Sequence, residues 1–297
     1  MQRHPPTHVS VVIPVRDGLP YLRLQLAALA AQDYVGSWDV VVSDNGSTDG
    51  LIAYLGGPEV PAGLDITCVD SSDGVGVAAA RNRGVAKARG DYIAYLDSDD
   101  IARPGWLTAI AAAAERGDLV SGSIVTSVIN SPRVAQWRPV PDPEAGWPVA
   151  GWFPTAMGAN LGVWRDVHET VGGLDESMTL AGEDVDFVWR AQSAGFTMVH
   201  SPEAVIDYRL RENYRQFWNQ AYRYGRGIVL LHKRFHRDGF NYYNKPLVFP
   251  LVVLSLAVRN PLLPYAITRM TTGRWIFHVA HEVGKVHGSI LERTLCI

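Results

Sequence analysis

Tyr92-Ile93-Ala94-Tyr95-Leu96-Asp97-Ser98-Asp99-Asp100 decides the fold. Its first five residues are an apolar run that reads as a buried strand, and the run ends in three carboxylates. Carboxylates this close repel one another and resist leaving water unless a positive partner neutralises them. A strand that delivers them to the edge of a sheet is a means of holding a divalent metal. Hard oxygen ligands suit Mg²⁺ or Mn²⁺, which keep positions open for phosphate oxygens. The plainer alternative is that Asp99 or Asp100 caps a helix opened by Pro104, accepting from its exposed backbone amides. One Asp meets that need; three exceed it.

Outward from this strand, short apolar runs alternate with helical patterns. Strands are predicted over Val9–Val15, Asp39–Ser43, Ile66–Val69 and Leu119–Val125. Helices are predicted over Tyr21–Ala31, Val75–Ala88 and Trp106–Arg116, and Ser47 or Thr48 is placed to cap one running through Tyr54. Repeated strand–helix–strand units predict an α/β fold: a mostly parallel sheet with helices on both faces. Ligands on such sheets bind beyond the carboxyl ends of the strands, where Pro14, Asp44 and Asp97 all fall. Residues 130–156, rich in Pro, Gly and Trp, read as an irregular lid or connector. Helical patterns return at Arg165–Val171 and Glu183–Ala194, with a short strand at Thr197–Val199. A long aromatic helix is predicted from Arg211 to Phe235, and after Lys245 the composition turns apolar with scattered bases.

The bulk numbers admit a full hydrophobic core: 297 residues, 47% hydrophobic, 19% charged, net charge −3. Nothing in that balance argues for nucleic acid. Cys68 and Cys296 stand far apart without metal-ligand spacing, which suits a reducing compartment. No apolar leader precedes Val9, so a cytoplasmic location is expected. The apolar stretch Pro246–Val258 falls short of the about 20 residues a bilayer span needs. It reads as a core helix or an interfacial one.

Taken together, Val11-Val12-Ile13-Pro14, Asp44-Asn45-Gly46-Ser47-Thr48-Asp49, Ala80-Arg81-Asn82-Arg83-Gly84, Gly90 to Asp100 and Gly182-Glu183-Asp184 resemble family 2 glycosyltransferases of the GT-A fold. The order and spacing match over roughly residues 9–210. The resemblance implies an inverting transfer of a sugar from a nucleotide-diphosphate donor to a hydroxyl acceptor, aided by Mg²⁺ or Mn²⁺. It divides the chain into a GT-A catalytic domain over 1–210 (nucleotide-binding part 9–125, acceptor-side part 126–210) and a helical C-terminal extension over 211–297.

The same resemblance assigns residues. Pro14, Val15, Arg16 and Asp17 would turn beneath the donor base, and Asp44 with Asn45 would read it. An Asx turn is the plainer reading of Asp44. Arg81 and Asn82 would lie near the diphosphate, Arg81 and Arg83 supplying cations; two solvated helix charges explain those arginines equally well. Asp99 is implied as metal ligand, Asp97 as ribose contact or second ligand beside Ser98, and Asp100 as structural. Asp184 is implied as the base that removes the acceptor proton, with Glu183 beside it. The competing reading of both is acidic charge complementing a helix N-terminus. On the acceptor side stand Asn160, within Gly158-Ala159-Asn160-Leu161, and the flanking Trp152 and Trp164, whose rings could stack on sugar or simply pack. His200 stands where some relatives add a metal ligand, and a structural histidine is the simpler account.

Processive members carry Gln-x-x-Arg-Trp after the base; Arg215-Gln216-Phe217-Trp218 does not match it, which favours single-sugar transfer. The bases of the aromatic helix, Arg211, Arg215, Arg223, Arg226, Lys233, Arg234 and Arg237, admit three readings: packing on the catalytic domain, a homodimer contact, or an anionic membrane surface. A nucleic-acid module is not recognisable. Two rivals to the transferase reading are a sugar nucleotidyltransferase and a non-catalytic sugar-nucleotide-binding scaffold. The first should carry a Gly-rich loop with a Lys after strand one, where Arg16-Asp17-Gly18-Leu19-Pro20 stands. The second should have lost Asp97, Asp99 and Asp184.

Overall fold

The computed structural model describes residues 3–138, 140–241 and 246–297. Lys245, where the composition turns apolar, lies outside the described residues.

The elements run β1 (Val9–Val15), α1 (Leu19–Ala30), β2 (Trp38–Asp44), α2 (Leu51–Leu55), β3 (Ile66–Asp70), α3 (Gly76–Lys87), β4 (Tyr92–Leu96), β5 (Ile101–Ala102), α4 (Trp106–Ala114), β6 (Leu119–Val125) and α5 (Pro132–Ala135). There follow β7 (Asn160–Trp164), α6 (Arg165–Val171), α7 (Glu183–Ser193), β8 (Met198–Asp207), α8 (Tyr214–Phe235), α9 (Phe249–Val258), α10 (Tyr265–Thr268) and α11 (Thr272–Leu291). One eight-stranded sheet has the order β3-β2-β1-β4-β7-β6-β8-β5. Its first four strands are mutually parallel, with Val15 beside Asp44 and Asp44 beside Asp70, so the carboxyl ends of β1 to β3 share one rim. β4 joins β1 in parallel and brings Leu96, and the acids after it, to the same rim.

The continuous apolar runs are those of strands covered on both faces: every residue of β4 is buried. Helix α3 packs on β1 and β2, and α4 on β6, β7 and β8. Two strands escape the sequence pattern. β7 lies antiparallel between β4 and β6, and Asn160-Leu161-Gly162-Val163-Trp164 carries only a weak strand signature. β8 is ten residues long rather than the three read from 197–199. Its pairing with β6 shifts register between Gly122 and Ser123, an irregularity that takes Pro202 out of the ladder.

Neither capping expectation holds. Helix α2 starts from Gly50 and α4 from Gly105, both left-handed and without a side-chain cap. Ser47 and Thr48 instead latch the loop after β1: Asp17 N donates to Ser47 Oγ (3.0 Å), and Thr48 N donates to Asp17 Oδ1 (2.7 Å). Asp99 and Asp100 are released from any capping role.

The C-terminal elements are mostly helix. α8 packs along α11, and a Cβ at Gly225 or Gly284 would strike the backbone of the opposite helix at 2.1 or 2.2 Å, so glycine at both places permits the close approach. Among the described residues no helix is long and apolar enough to cross a membrane.

Candidate active site

A cleft of about 790 Å³ opens at the rim, within the size range of small-molecule sites. One wall is the end of β1 (Pro14, Val15) and the loop after it (Arg16, Asp17) with Asn45; the floor is Asp97, Ser98 and Asp99; the far wall holds Gly182, Glu183 and Asp184. Residues from strands remote in sequence therefore line one space, and Asp99 and Asp184 share it.

At the floor the acids form a compact group with the buried Asp100. Ligand oxygens of Asp97, Asp99 and Asp100 lie within 4.8 Å of one another. Asp100 is buried at 1% exposure. Its Oδ1 accepts the Arg209 N–H at 2.7 Å, while Oδ2 is buried without a hydrogen-bond partner. Burial, then Asp99 and Asp97, pushes the Asp100 carboxyl well above the ordinary carboxylate range. Burial also raises Asp97, with Arg81 pulling it back. An unpaired buried oxygen beside two further carboxylates is the chemistry of a hard-cation donor set, so Asp97, Asp99 and Asp100 fit a divalent ion.

Arg81, 2% exposed, ties the floor to the far wall. Its Nη2 donates to Asp97 Oδ1 (2.8 Å) and its Nη1 to Glu183 Oε1 (3.1 Å). Burial works against the Arg81 charge, and Asp97, Glu183 and Asp184 outweigh it, holding its pKa above the ordinary guanidinium value. The close fit dictates Gly158, where a Cβ would come within 2.4 Å of Arg81 Nη1. On the other side of the clamp, burial and the neighbouring Asp184 push the Glu183 carboxyl up to about 7, against the pull of Arg81.

Helix α7 begins from Gly182 at φ +91°, and its first two residues, Glu183 against Arg81 and Asp184, both line the cleft. Asp184 Oδ2 accepts the Gly158 N–H and Oδ1 the Val185 N–H, both at 2.8 Å. Two backbone donors fix the carboxylate in place, while the Arg81 and Arg138 charges act on it electrostatically.

The remaining sequence assignments divide. Pro14, Val15, Arg16, Asp17, Asn45, Arg81, Asp97, Ser98, Asp99, Glu183 and Asp184 line the cleft. Asp44 sits directly behind it and makes the Asx turn, Oδ1 accepting the Ser47 N–H at 2.8 Å. Asn82 points elsewhere: its amide exchanges bonds with Leu174 N and O and with Glu176, bolting α3 to the 173–176 turn. Arg83 pairs with Asp73 and Glu176 at the surface rather than facing a diphosphate.

The acceptor-side aromatic and amide readings are corrected. Asn160 is 1% exposed and spends its amide on Trp106, Ser123 and Ala204, joining β7 to its neighbours. Trp164 pairs with Tyr92 at the opposite end of the sheet, and its indole donates to the Ala114 carbonyl. Trp152 packs among Phe153, Trp189, Phe235 and Phe240. His200 lies against the Pro143 carbonyl and Ser123, apart from the acids.

What the sequence reading missed is the wall from the C-terminal elements. Arg211 Nη1 bonds Asp99 Oδ2 at 2.6 Å, and Gln216, Asn219, Gln220, Arg223 and Tyr224 face the same cleft from α8. Their spacing of three and four residues is a polar helical stripe that periodicity could have found. Other bases of α8 serve packing: Arg234 pairs with Asp175 and Asp186, and Lys233 with Glu292. The extension from residue 211 is thus part of the cleft.

Known proteins extend this geometry. Residues 10–172 match the family described as glycosyl transferase family 2, and residues 149–280 the glycosyl transferase family group 2. A pre-mycofactocin glycosyltransferase of Mycobacterium tuberculosis is 31% identical over 74% of this chain and 47% of its own length, so the chain spans about half of that relative. Glycosyltransferase AglE of Haloferax volcanii is 28% identical over 74% of this chain and 73% of its own. Among solved structures, the mannosyltransferase PcManGT from Pyrobaculum calidifontis, in complex with GDP-Man and Mn²⁺, superimposes with a TM-score of 0.64. That likeness, at 20% identity over 95% of this chain and 88% of the other, is one of fold: GT-A. With the rim cleft, the acid cluster and the family match spanning the nucleotide-side strands, the chain belongs to glycosyl transferase family 2.

Proposed function

We propose that the protein is an inverting glycosyltransferase that moves one sugar from a nucleotide-diphosphate donor to a hydroxyl acceptor. The observation that carries the reading is the meeting of Asp97 and Asp99 with Glu183 and Asp184 in one cleft, Asp100 lying buried beside the first two. The GDP-Man and Mn²⁺ named for PcManGT and the transferase names of the sequence relatives support it.

Asp97, Asp99 and Asp100 would hold Mg²⁺ or Mn²⁺; when bound, the ion neutralises charge on the diphosphate leaving group. The loop from Pro14 to Asp17, latched to Ser47 and Thr48, forms the base side of the cleft with Asn45, and Asp44 sets that loop through its Asx turn. Asp184 takes the acceptor proton as the acceptor oxygen attacks the anomeric carbon from the face opposite the departing nucleotide. Its two backbone donors hold the carboxylate in one orientation. Arg81 fixes the distance between the donor floor and the base helix by holding Asp97 and Glu183 together. Arg211 and Arg223 supply cationic side chains on the opposite wall.

The test is a thermal-shift screen of nucleotide sugars with and without Mn²⁺, followed by transfer assays on Asp184→Asn. The donor found should stabilise both proteins alike, and turnover should fall by about 10²–10⁴ in the variant. Unchanged turnover removes Asp184 from the role; donor binding without any transfer by the unmodified protein favours the scaffold reading.

A further inference from the structure

We propose that α9 and the basic residues around it form a docking surface for an anionic lipid bilayer. The surface is built apart from the cleft and holds whatever chemistry the cleft performs. Helix α9, Phe249-Pro250-Leu251-Val252-Val253-Leu254-Ser255-Leu256-Ala257-Val258, is apolar on every side, yet none of its residues is buried. Leu251, Val253, Leu254 and Val258 are 47–63% exposed, and the flanking Leu247, Leu262 and Ile267 are 90%, 92% and 72% exposed. A helix that is apolar all round belongs in a protein interior or in lipid, and a patch this continuous marks an interaction site.

The helix is held in place rather than loose. Trp275 on α11 donates its indole N–H to the Leu256 carbonyl at 2.8 Å, bracing one side of α9. At ten residues it is about 15 Å long, half the ~30 Å hydrocarbon thickness of a bilayer, so it suits entry into one leaflet.

Charge selects the occupant. Between Asp238 and Glu282 the sequence contains no carboxylate, while Lys245, Arg259, Arg269 and Arg274 fall inside that interval. Arg259, Arg269 and Arg274 are exposed and make no ion pair among the described residues. A segment of exposed apolar side chains whose only charged residues are cations complements anionic headgroups over acyl chains. A second copy is a poorer match: in a two-fold contact the same patch meets itself, setting arginine against arginine.

The test is co-sedimentation of the full chain with vesicles of phosphatidylglycerol and phosphatidylcholine, against vesicles of phosphatidylcholine alone. The protein should partition at least tenfold more strongly to the anionic vesicles, with binding weakened in high salt. Leu251→Glu/Leu254→Glu and Arg259→Glu/Arg269→Glu should each lower that partitioning at least tenfold. The arginine pair leaves the apolar helix unaltered, so loss in both variants does not reduce to misfolding of α9. Val35→Glu, at a fully exposed apolar residue remote in sequence, should bind as the unmodified protein does. Failure to bind anionic vesicles, equal binding to both vesicle types, or binding that survives either double variant overturns the proposal. A dimer in analytical ultracentrifugation that Leu251→Glu/Leu254→Glu dissociates, without vesicle binding, assigns the face to a second copy instead.

Discussion

At the rim of the sheet, Arg81 at 2% exposure and Glu183 at 7% are charged or titratable groups held inside; on the tail, Leu262 at 92% and Leu247 at 90% are hydrocarbon held outside. Both regions reverse the usual partition of polar and apolar surface. They differ in what compensates them. The buried acids have a partner from this chain, the Arg81 guanidinium, whose two bonds hold Asp97 to Glu183. The exposed leucines and valines face solvent, on a helix that Trp275 holds by the Leu256 carbonyl. Buried charge without a partner is costly to the fold itself, whereas exposed hydrocarbon costs the fold little and acts when something covers it.

The strongest way to break this contrast is Arg81→Met. Removing one member of a buried ionic group strands Asp97 and Glu183, and the loss should be about 3–5 kcal/mol. Calorimetry at neutral pH should record a fall in Tm on the order of 10 °C. At alkaline pH, where Glu183 is charged, adding Glu183→Gln to Arg81→Met should recover part of it, because one of the stranded acids is then neutral. A melting curve unmoved by Arg81→Met would mean the clamp contributes no stability.

A smaller effect reads the pH response of the same clamp. Glu183 is raised from 4.5 to about 7, chiefly by burial. Between those values the unfolded carboxyl loses its proton and the folded one keeps it, so this group's stabilisation is full below 4.5 and lost as pH rises through about 7. The loss is on the order of 3 kcal/mol. Glu183→Gln, melted in chelator across that window, should show a flatter Tm profile than the unmodified protein.

Smaller again is the Asp99–Arg211 pair, in which Arg211 is partly exposed. Arg211 occupies the carboxylate that a divalent ion would use. Arg211→Gln should tighten Mn²⁺ binding about threefold to fivefold, within the 0–1 kcal/mol of such a pair. Titration of the Mn²⁺ paramagnetic signal checks it; weaker binding would make Arg211 a support of the site instead of a competitor.

The smallest effect belongs to the tail. Leu251→Ser/Leu254→Ser should change unfolding free energy by less than about 0.5 kcal/mol per residue, since neither side chain is buried. A loss of several kcal/mol in denaturant titration would show these side chains packed within the fold, and the contrast with the rim would collapse.

Much of the rim could be read before any coordinates. The apolar run into Asp97-Ser98-Asp99-Asp100 predicted β4 to the residue, and the strand ends placed Pro14, Asp44 and Asp97 on one edge, because parallel strands put their carboxyl ends together. Neither β7 nor the full length of β8 could be read that way. An antiparallel insertion such as Asn160–Trp164 has its residues fixed by neighbours on both sides, and a register shift hides a strand behind Pro202. The aromatic and amide residues near β7 were legible as motifs yet not as orientations: Asn160 and Trp164 face other strands and helices.

The sequence by itself determined which groups could carry the chemistry, since composition and spacing set where acids end strands and where helices begin. Only the tertiary structure decided the partners. It put Arg81 between Asp97 and Glu183, turned Asn82 to Leu174, and brought Arg211 and Arg223 of the distant C-terminal elements over the cleft. The reason is physical: strand and helix periods are local, while the pairing of a buried charge depends on which side chains the packed elements bring within a few ångströms of it.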